Sequence, residues 1–252
     1  MAPQIFNLYT TTFVLALSIT LVVAASLRLL AILPNTRFSP PVAKRKIGTA
    51  TRVLIVLGSG GHTSEMLYML KDLDTRKFTH RTWVVSSGDA FSAGRAAIFE
   101  AEMEEEAKKL SKDGSNNVTF NFGPEHYDIA TVPRARKIHQ PLYTAPFSSL
   151  HCLFKCFGVL LGGEQDLPDL IVTNGPATAC ILVFASLVLK FFDVRGAQSR
   201  GKCKTIYAES FARVKTLSLS GKLLVKVVDR FLVQWEELEG AGGRAEYWGI
   251  LV

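Results

Sequence analysis

A glycine-rich segment that ends in a histidine carries the clearest chemical signal in the sequence. Residues 58–62 read Gly-Ser-Gly-Gly-His, and they follow an apolar run at residues 52–57 that predicts a buried β-strand. Glycines let backbone N–H groups approach a phosphate at the start of a helix, and His62 adds a titratable side chain there. The spacing matches neither a dinucleotide fingerprint nor a P-loop. The alternative is a tight strand-to-helix turn without a ligand.

Polar residues also follow two later predicted strands. Asn174 and Gly175 come after the fourth, where they suit either a ligand contact or the cap of the next helix. Glu209 and Ser210 come after the fifth. The Glu209 carboxylate could accept hydrogen bonds from a sugar or an amide, or it could hold the loop at residues 218–221. Functional sites in parallel sheets lie beyond the carboxyl ends of the strands, which is where these residues fall.

Three basic residues, Arg134, Arg136 and Lys137, cluster between the third and fourth predicted strands. Beside a phosphate-binding edge they suggest contact with a pyrophosphate or with lipid headgroups. An exposed basic loop is the alternative. No metal site is predicted, because metal-ligand spacing is absent from the acidic pair Asp72 and Asp74 and from the cysteines at positions 152, 156, 180 and 203.

The elements that would position these residues alternate between strand and helix from residue 52 onward. This alternation is typical of a mostly parallel sheet with helices on both faces, so we predict an α/β, Rossmann-like fold. Strands are predicted at residues 52–57, 82–86, 118–122, 170–173, 204–208, 231–234 and 247–251. Helices are predicted at residues 63–73, 91–110, 147–161 and 177–192.

The predicted helices differ in their expected surroundings. An apolar stripe on residues 147–161 fits either the core or a membrane interface. Residues 177–189 are apolar all round but too few to span a bilayer, so we expect a buried helix. Residues 100–109 are highly charged and predict a solvated face.

The N-terminal region contains a candidate membrane anchor. Residues 5–27 carry no charge, and at about 1.5 Å per residue they would extend roughly 35 Å, enough for a hydrocarbon core of about 30 Å. A cleaved signal peptide is the alternative, but it would have a basic start and a shorter apolar core. We therefore expect a transmembrane helix within residues 1–33, followed by a basic, proline-containing linker at residues 34–51.

The distribution of charge argues against a nucleic-acid-binding protein. The 252 residues carry a formal net charge of +7. Residues 1–52 contain no Asp or Glu and six basic residues, which leaves +1 for residues 53–252. A nucleic-acid-binding domain would spread basic surface over the fold. Positive charge on only the C-terminal flank of the apolar run instead predicts that residues 28–252 lie in the cytosol.

Several motifs together resemble one protein family. They lie at residues 57–65, 133–136, 173–176, 207–221, 229–235 and 247–249. The chain resembles the membrane-anchor subunit of the eukaryotic UDP-N-acetylglucosamine transferase of asparagine-linked glycosylation, over essentially its whole length. The most specific block runs from Leu-Ser-Leu-Ser-Gly at residues 217–221 to Val-Gln-Trp at residues 233–235. More distantly, the Gly-Gly-His segment is similar to the acceptor half of the bacterial lipid-linked muramyl glycosyltransferase, a two-domain GT-B enzyme.

This resemblance implies a subunit that acts in dolichol-linked oligosaccharide assembly. The complex would add the second N-acetylglucosamine to dolichyl-diphosphate-N-acetylglucosamine on the cytosolic face of the endoplasmic reticulum, with the nuclear envelope a further location. Residues 52–252 would be the acceptor-binding domain, one Rossmann-like half of a GT-B enzyme. A small cytosolic subunit would bind UDP-N-acetylglucosamine, the co-substrate, and supply the missing half. The enzyme of the preceding pathway step is a further candidate partner. No tightly bound cofactor is implied, and the need for a divalent metal stays open.

The resemblance also implies roles for individual residues. His62 is the candidate general base for an inverting transfer, because imidazoles titrate near pH 6.5, or else a hydrogen-bond donor to the diphosphate. Glu209 is a second catalytic candidate. The acceptor diphosphate would be bound by Gly58, Ser59, Gly60, Gly61, Thr63, Arg134, Arg136, Asn174, Gly175 and Ser210.

The C-terminal residues complete the set of expected sites. Gly249, Ile250, Leu251 and Val252 are expected to dock the partner, although they could simply form the last core strand. Two other functions remain open at this point. The chain could be a recruiter that leaves all chemistry to its partner, or it could be a self-sufficient lipid-linked sugar transferase.

Overall fold

A computed structural model describes residues 8–34, 49–112, 121–136, 140–162, 165–175 and 177–252. Most of the predicted linker, residues 35–48, lies outside the described residues, as do Lys137 and Pro176.

The centre of the fold is a seven-stranded parallel sheet. Its strands are β1 (Arg52–Val56), β2 (His80–Ser86), β3 (Tyr127–Val132), β4 (Leu170–Asn174), β5 (Lys204–Ala208), β6 (Arg230–Val233) and β7 (Ala245–Tyr247). Their order across the sheet is β3-β2-β1-β4-β5-β6-β7, and every neighbouring pair is parallel. This is the doubly wound order of Rossmann-type sheets, so the α/β, Rossmann-like prediction is confirmed.

Helices cover both faces of the sheet. The described α-helices are α1 (Leu8–Ile32), α2 (Gly61–Met69), α3 (Ala90–Lys112), α4 (Ala145–Leu161), α5 (Ala177–Phe191) and α6 (Leu219–Leu224). Val53 and Ile55 of β1 join a core cluster with α2 and α3, whereas Leu54 and Val56 join one with α4 and α5. Alternate side chains of β1 therefore pack against opposite helix layers, which explains its continuous apolar sequence.

Two strand predictions were wrong in position. Residues 118–120 of the predicted third strand lie outside the described residues, and Asn121 and Phe122 are not in a strand. The actual β3 lies at the edge of the sheet and has exposed positions, so it includes the charged Asp128 and lacks a continuous apolar pattern. The last strand, β7, ends at Tyr247 and precedes most of the predicted residues 247–251.

The predicted solvated face of α3 needs one correction. Glu100 is buried, and its carboxylate accepts hydrogen bonds from Nε and Nη2 of Arg81 and from Nε1 of Trp83, each at 2.7 Å. Arg81 is itself fully buried within β2. The charged sequence of α3 predicts that Glu100 faces solvent. In the structure Glu100 lies in the core, where it neutralises the Arg81 cation.

The two apolar helices on the other face have different surroundings. Cys152, Cys156 and Leu160 of α4 are buried, while Phe147, Leu150 and Phe154 are exposed, so its apolar residues serve both the core and an outer surface. Helix α5 is largely buried, as predicted. All four cysteines are buried free thiols.

Helix α1 is long and apolar enough, by length and composition, to cross a membrane. Hydroxyl groups within it donate to preceding backbone carbonyls, as in the 3.0 Å bond from Thr12 Oγ1 to Leu8 O. Its C-terminal end packs on the domain through the buried Ile32. Arg28 Nε and Nη2 donate to the carbonyls of Phe191 and Lys190, at 2.8 and 2.9 Å, and so satisfy the end of α5.

We expect Glu100→Ala to destabilise the fold strongly. The substitution leaves the buried Arg81 cation uncompensated, so the free energy of unfolding should fall by about 3–5 kcal/mol. Urea unfolding of the detergent-solubilised chain, followed by tryptophan fluorescence, measures this. Glu105→Ala is the control, because Glu105 pairs with Lys109 on the exposed face of α3 and should contribute less than about 1 kcal/mol. An equal fall in the free energy of unfolding in both variants would contradict a stabilising role for the buried Glu100–Arg81 pair.

Candidate functional site

The glycine-rich segment connects β1 to α2 at the carboxyl edge of the sheet. Gly60 has φ +62° and ψ −123°, a conformation that side-chain-bearing residues rarely adopt, and α2 begins at Gly61. Ser59, Gly60 and Gly61 are exposed, and a Cβ added at either glycine would meet no atom within 4 Å. The start of this nine-residue helix therefore presents open backbone to solvent, an arrangement suited to an anion.

Gly58 and Thr63 hold this loop from below. Both are buried, and the Thr63 hydroxyl donates to the Gly58 carbonyl. Thr63 Oγ1 also lies 2.7 Å from Oγ of Ser92, which in turn donates to Asp89 at 2.8 Å. Of the five predicted diphosphate-binding residues in this loop, Gly58 and Thr63 therefore set its shape, and Ser59, Gly60 and Gly61 lie on the surface.

Asn174, the last residue of β4, and Gly175, which follows it, hold His62 in place. Asn174 Nδ2 donates to the His62 carbonyl at 2.7 Å. Gly175 has φ +70° and lies against the imidazole ring, since a Cβ there would come within 2.7 Å of His62 Cγ. Asn174 is buried and the His62 side chain is 33% exposed. The C-terminal end of β4 and Gly175 thus contact the histidine from one side and leave part of its ring open to solvent.

Glu65 is a site residue that the sequence analysis missed. Its Oε2 lies 3.4 Å from Nδ1 of His62, and its Oε1 accepts a 2.9 Å hydrogen bond from the Ser210 hydroxyl. Burial opposes ionisation of this carboxyl group, but its contacts with His62 and Ser210 outweigh that effect and lower its pKa below the usual value. The available signal was the spacing of three residues from His62 on one helix, which places both side chains on the same face.

Glu209 is committed to the loop that follows β5. The side chain is 1% exposed. Its Oε2 accepts from the backbone N–H and the hydroxyl of Ser218, each at 3.0 Å, and Oε1 accepts from the N–H of Ser210 at 3.2 Å. A Cβ at Gly221 would collide with the same carboxylate. These contacts favour the loop-holding alternative, and the catalytic role stays an untested prediction.

The basic residues lie at the same edge of the sheet, towards β2 and β3. Arg134 Nε donates to the carbonyl of Ser87 at 3.2 Å, and Arg136 donates to the carbonyl of Gln140 at 3.0 and 3.2 Å. Arg134 also lines a cavity of about 260 Å³ with Ser87, Pro133, Ser148 and His151. The structure thus brings His62, Asn174, Gly175 and Ser210 into one cluster, and it leaves the two arginines two strands away.

The C-terminal residues lie beyond β7 and outside the sheet, so their alternative reading as the last core strand is wrong. Ile250 is exposed, as is the neighbouring Trp248. The N–H of Leu251 donates to Oε1 of Gln234 at 3.2 Å, and Nε2 of Gln234 donates to the Glu209 carbonyl at 3.0 Å. The chain terminus is therefore tied to the strand end that carries Glu209.

The sequence matches the protein family described as "Oligosaccharide biosynthesis protein Alg14 like" over residues 53–251. The chain belongs to this family. A relative from Aspergillus fumigatus, named UDP-N-acetylglucosamine transferase subunit alg14, is 41% identical over 74% of this chain and 98% of its own length. The human protein named UDP-N-acetylglucosamine transferase subunit ALG14 is 32% identical over 79% of this chain and 82% of its own. The family resemblance is therefore confirmed.

Two solved structures are also similar to this Alg14-like chain. MurG of Acinetobacter baumannii has a TM-score of 0.47 at 15% identity, covering 78% of this chain and 45% of that one. LpCGTa in complex with UDP has a TM-score of 0.45 at 12% identity, covering 81% of this chain and 53% of that one. The Alg14-like chain thus spans about half the length of each.

We expect Glu209→Gln to loosen the loop after β5. The amide retains one acceptor oxygen and cannot satisfy the donors of both Ser210 and Ser218. The free energy of unfolding should fall by about 1–3 kcal/mol. Hydrogen exchange should accelerate at the backbone amides of residues 210–218, measured by mass spectrometry against the control Glu239→Gln, which alters an exposed carboxylate. Unchanged exchange together with lost transferase activity would instead favour the catalytic role.

Proposed function

We propose that this chain is the membrane-anchoring, acceptor-binding subunit of a heteromeric UDP-N-acetylglucosamine transferase in protein N-glycosylation. The complex adds the second N-acetylglucosamine to dolichyl-diphosphate-N-acetylglucosamine at the cytosolic face of the endoplasmic reticulum. The nuclear envelope is a further location of the complex in this proposal. The observation that carries the proposal is the exposed start of α2, where open glycine backbone and the His62 ring share one surface. The names of the Alg14 relatives support UDP-N-acetylglucosamine as the donor.

The acceptor diphosphate fits the exposed part of the glycine-rich loop. Backbone N–H groups at Gly60 and Gly61 and the positive end of the α2 dipole attract a negatively charged group. Arg134 and Arg136 add two guanidinium groups at the same edge, within reach of a long, flexible acceptor. In this proposal Asn174, Gly175 and Ser210 support the loop, and no tightly bound cofactor is needed.

His62 acts as the general base in this proposal. A hydroxyl oxygen of the acceptor sugar attacks the anomeric carbon of the donor, and the bond from that carbon to the UDP oxygen breaks. The hydroxyl proton passes to the imidazole, and UDP leaves with the electron pair of the broken bond. A partly exposed ring held by Gly175 and Asn174 suits this step, because its position is fixed while one side stays accessible.

A second, small cytosolic subunit supplies the donor in this proposal. The word "subunit" in the names of the relatives supports a complex. Ile250 offers exposed apolar surface beside Trp248, and Gly249, Leu251 and Val252 complete the proposed docking segment. Because Leu251 is hydrogen-bonded to Gln234, which also binds the Glu209 carbonyl, a partner docked here would contact a segment tied to the site.

The proposed division of the chain is an anchor in residues 1–33, a linker at residues 34–51 and a cytosolic acceptor-binding domain at residues 52–252. Support comes from the apolar length of α1 and from its attachment to α5 through Arg28. The exposed Phe147, Leu150 and Phe154 of α4 add apolar surface beside α5, consistent with contact between this side of the domain and a bilayer.

We expect His62→Ala to abolish most transfer without breaking the complex. Loss of a general base should lower kcat by about 100-fold or more. The assay uses membranes from cells in which the variant replaces the native chain, supplied with radiolabelled UDP-N-acetylglucosamine and N-acetylglucosamine diphosphate on a short isoprenoid lipid. Ser64→Ala, an exposed change on the same helix, is the matched control.

The same assay separates the alternatives. Normal turnover of His62→Ala would contradict the catalytic role and leave this chain as a recruiter of its partner. Transfer by the purified chain without any other protein would contradict the two-chain proposal and favour a self-sufficient transferase.

We expect α1 to hold the chain in the membrane with its domain in the cytosol. Alkaline carbonate should leave the full chain in the membrane pellet, and protease added to sealed microsomes should digest the domain. Replacing Leu15, Leu21 and Val22 with Asp should release the chain, because charged residues are costly in the hydrocarbon core. Protection of the domain from protease would contradict the orientation.

A further inference from the structure

We infer that Glu65 is a positioning residue that holds His62 with its proton on Nδ1 and its free nitrogen, Nε2, towards the acceptor. This inference rests on the proposed role of His62 as a base. The inference follows from two buried polar atoms, one on each residue, that face each other.

The first observation is a pair of unsatisfied polar atoms. His62 Nδ1 and Glu65 Oε2 are both buried, and neither has a hydrogen-bond partner among the described residues. They lie 3.4 Å apart on consecutive turns of α2. Leaving two such atoms unpaired is costly, and a proton on Nδ1 allows each to satisfy the other after a small closure.

The second observation is that Glu65 is fixed from its other side. Ser210, on the loop after β5, donates its hydroxyl to Oε1 at 2.9 Å. The backbone N–H of Phe211 also favours the charged carboxylate, as does the neighbouring His62. The side chain is 18% exposed, so it is largely shielded from water. An oriented carboxylate next to Nδ1 is therefore present before any substrate binds.

The tautomer of His62 follows from this arrangement. In a neutral imidazole one nitrogen carries the proton and the other accepts, and an acceptor next to Nδ1 selects the Nδ1–H form. Gly175 and Asn174, which lie against His62 from the end of β4, are uncharged. Nε2 is then the atom that receives the acceptor's hydroxyl proton.

The test is Glu65→Gln, assayed with the same membranes, donor and short-chain acceptor. The Gln amide can donate to Nδ1 and hold the opposite tautomer, so kcat should approach the roughly 100-fold loss of His62→Ala with little change in KM. Glu65→Asp, which keeps the charge on a shorter side chain, should regain part of kcat.

A double variant separates positioning from general stability. If Glu65 acts through His62, Glu65→Gln should cause no further loss of kcat in a His62→Ala background. Glu105→Gln, which removes an exposed carboxylate from α3, is the charge-matched control and should leave kcat unchanged. All variants are first compared with the native chain by thermal unfolding and membrane content. Independently of any variant, isotope-edited NMR of the native chain in detergent should show the Nδ1–H tautomer of His62.

The outcomes distinguish this inference from the function on which it rests. Normal activity in His62→Ala would overturn the base itself. Loss in His62→Ala with full activity in Glu65→Gln, or additive losses in the double variant, would overturn only the positioning role. An Nε2–H tautomer in the native chain would also overturn it, even if Glu65→Gln failed to fold.

Discussion

The burial of β1 on both faces is the constraint from which the position of the site follows. Its alternating side chains fill two cores, one under α2 and α3 and the other under α4 and α5. A strand covered on both sides can present functional groups only beyond its ends. Because β4 and β5 run parallel to β1, all three end at the same edge, and the segments after them meet there. The polar cluster of His62, Asn174 and Ser210 is a consequence of this topology.

Small residues and buried polar bonds set the distances within that cluster. Gly175 allows the imidazole ring to lie directly against backbone, and Asn174 binds the carbonyl of the same histidine. Glu65 connects α2 to the loop after β5 through Ser210, and Glu209 fixes that loop from inside. Hydrogen bonds thus fix the relative positions of these side chains, as close packing does in the core. They leave the exposed surface of the glycine-rich loop free for a ligand.

Periodicity in the sequence was sufficient to predict the parallel α/β fold and the strands at its centre, because those strands contain short runs of apolar residues. It failed at β3, where an edge position permits Asp128, and at Glu100, whose buried partner Arg81 is distant in sequence. The glycine-histidine segment was recognisable because it breaks the apolar pattern. Glu65 was not, since a glutamate on a short helix looks like any solvated residue until Ser210 is brought beside it by the fold.

Helix α5 connects the candidate anchor to the candidate site. Arg28 of α1 binds the last carbonyls of α5, while Thr178 near its first turn contacts Ser86 and the N–H of Ala135 at the carboxyl edge. Its 15 residues therefore separate the two regions by about 22 Å, at about 1.5 Å per residue. In the proposed function, a lipid-linked acceptor must bridge that separation or approach along another surface.

The exposed apolar face of α4 starts near Ala135, whose carbonyl accepts a hydrogen bond from Ser148, so apolar surface lies close to the carboxyl edge of the sheet. In the proposed function, α1 holds the chain in the membrane and α4 determines which edge of the domain faces the lipid.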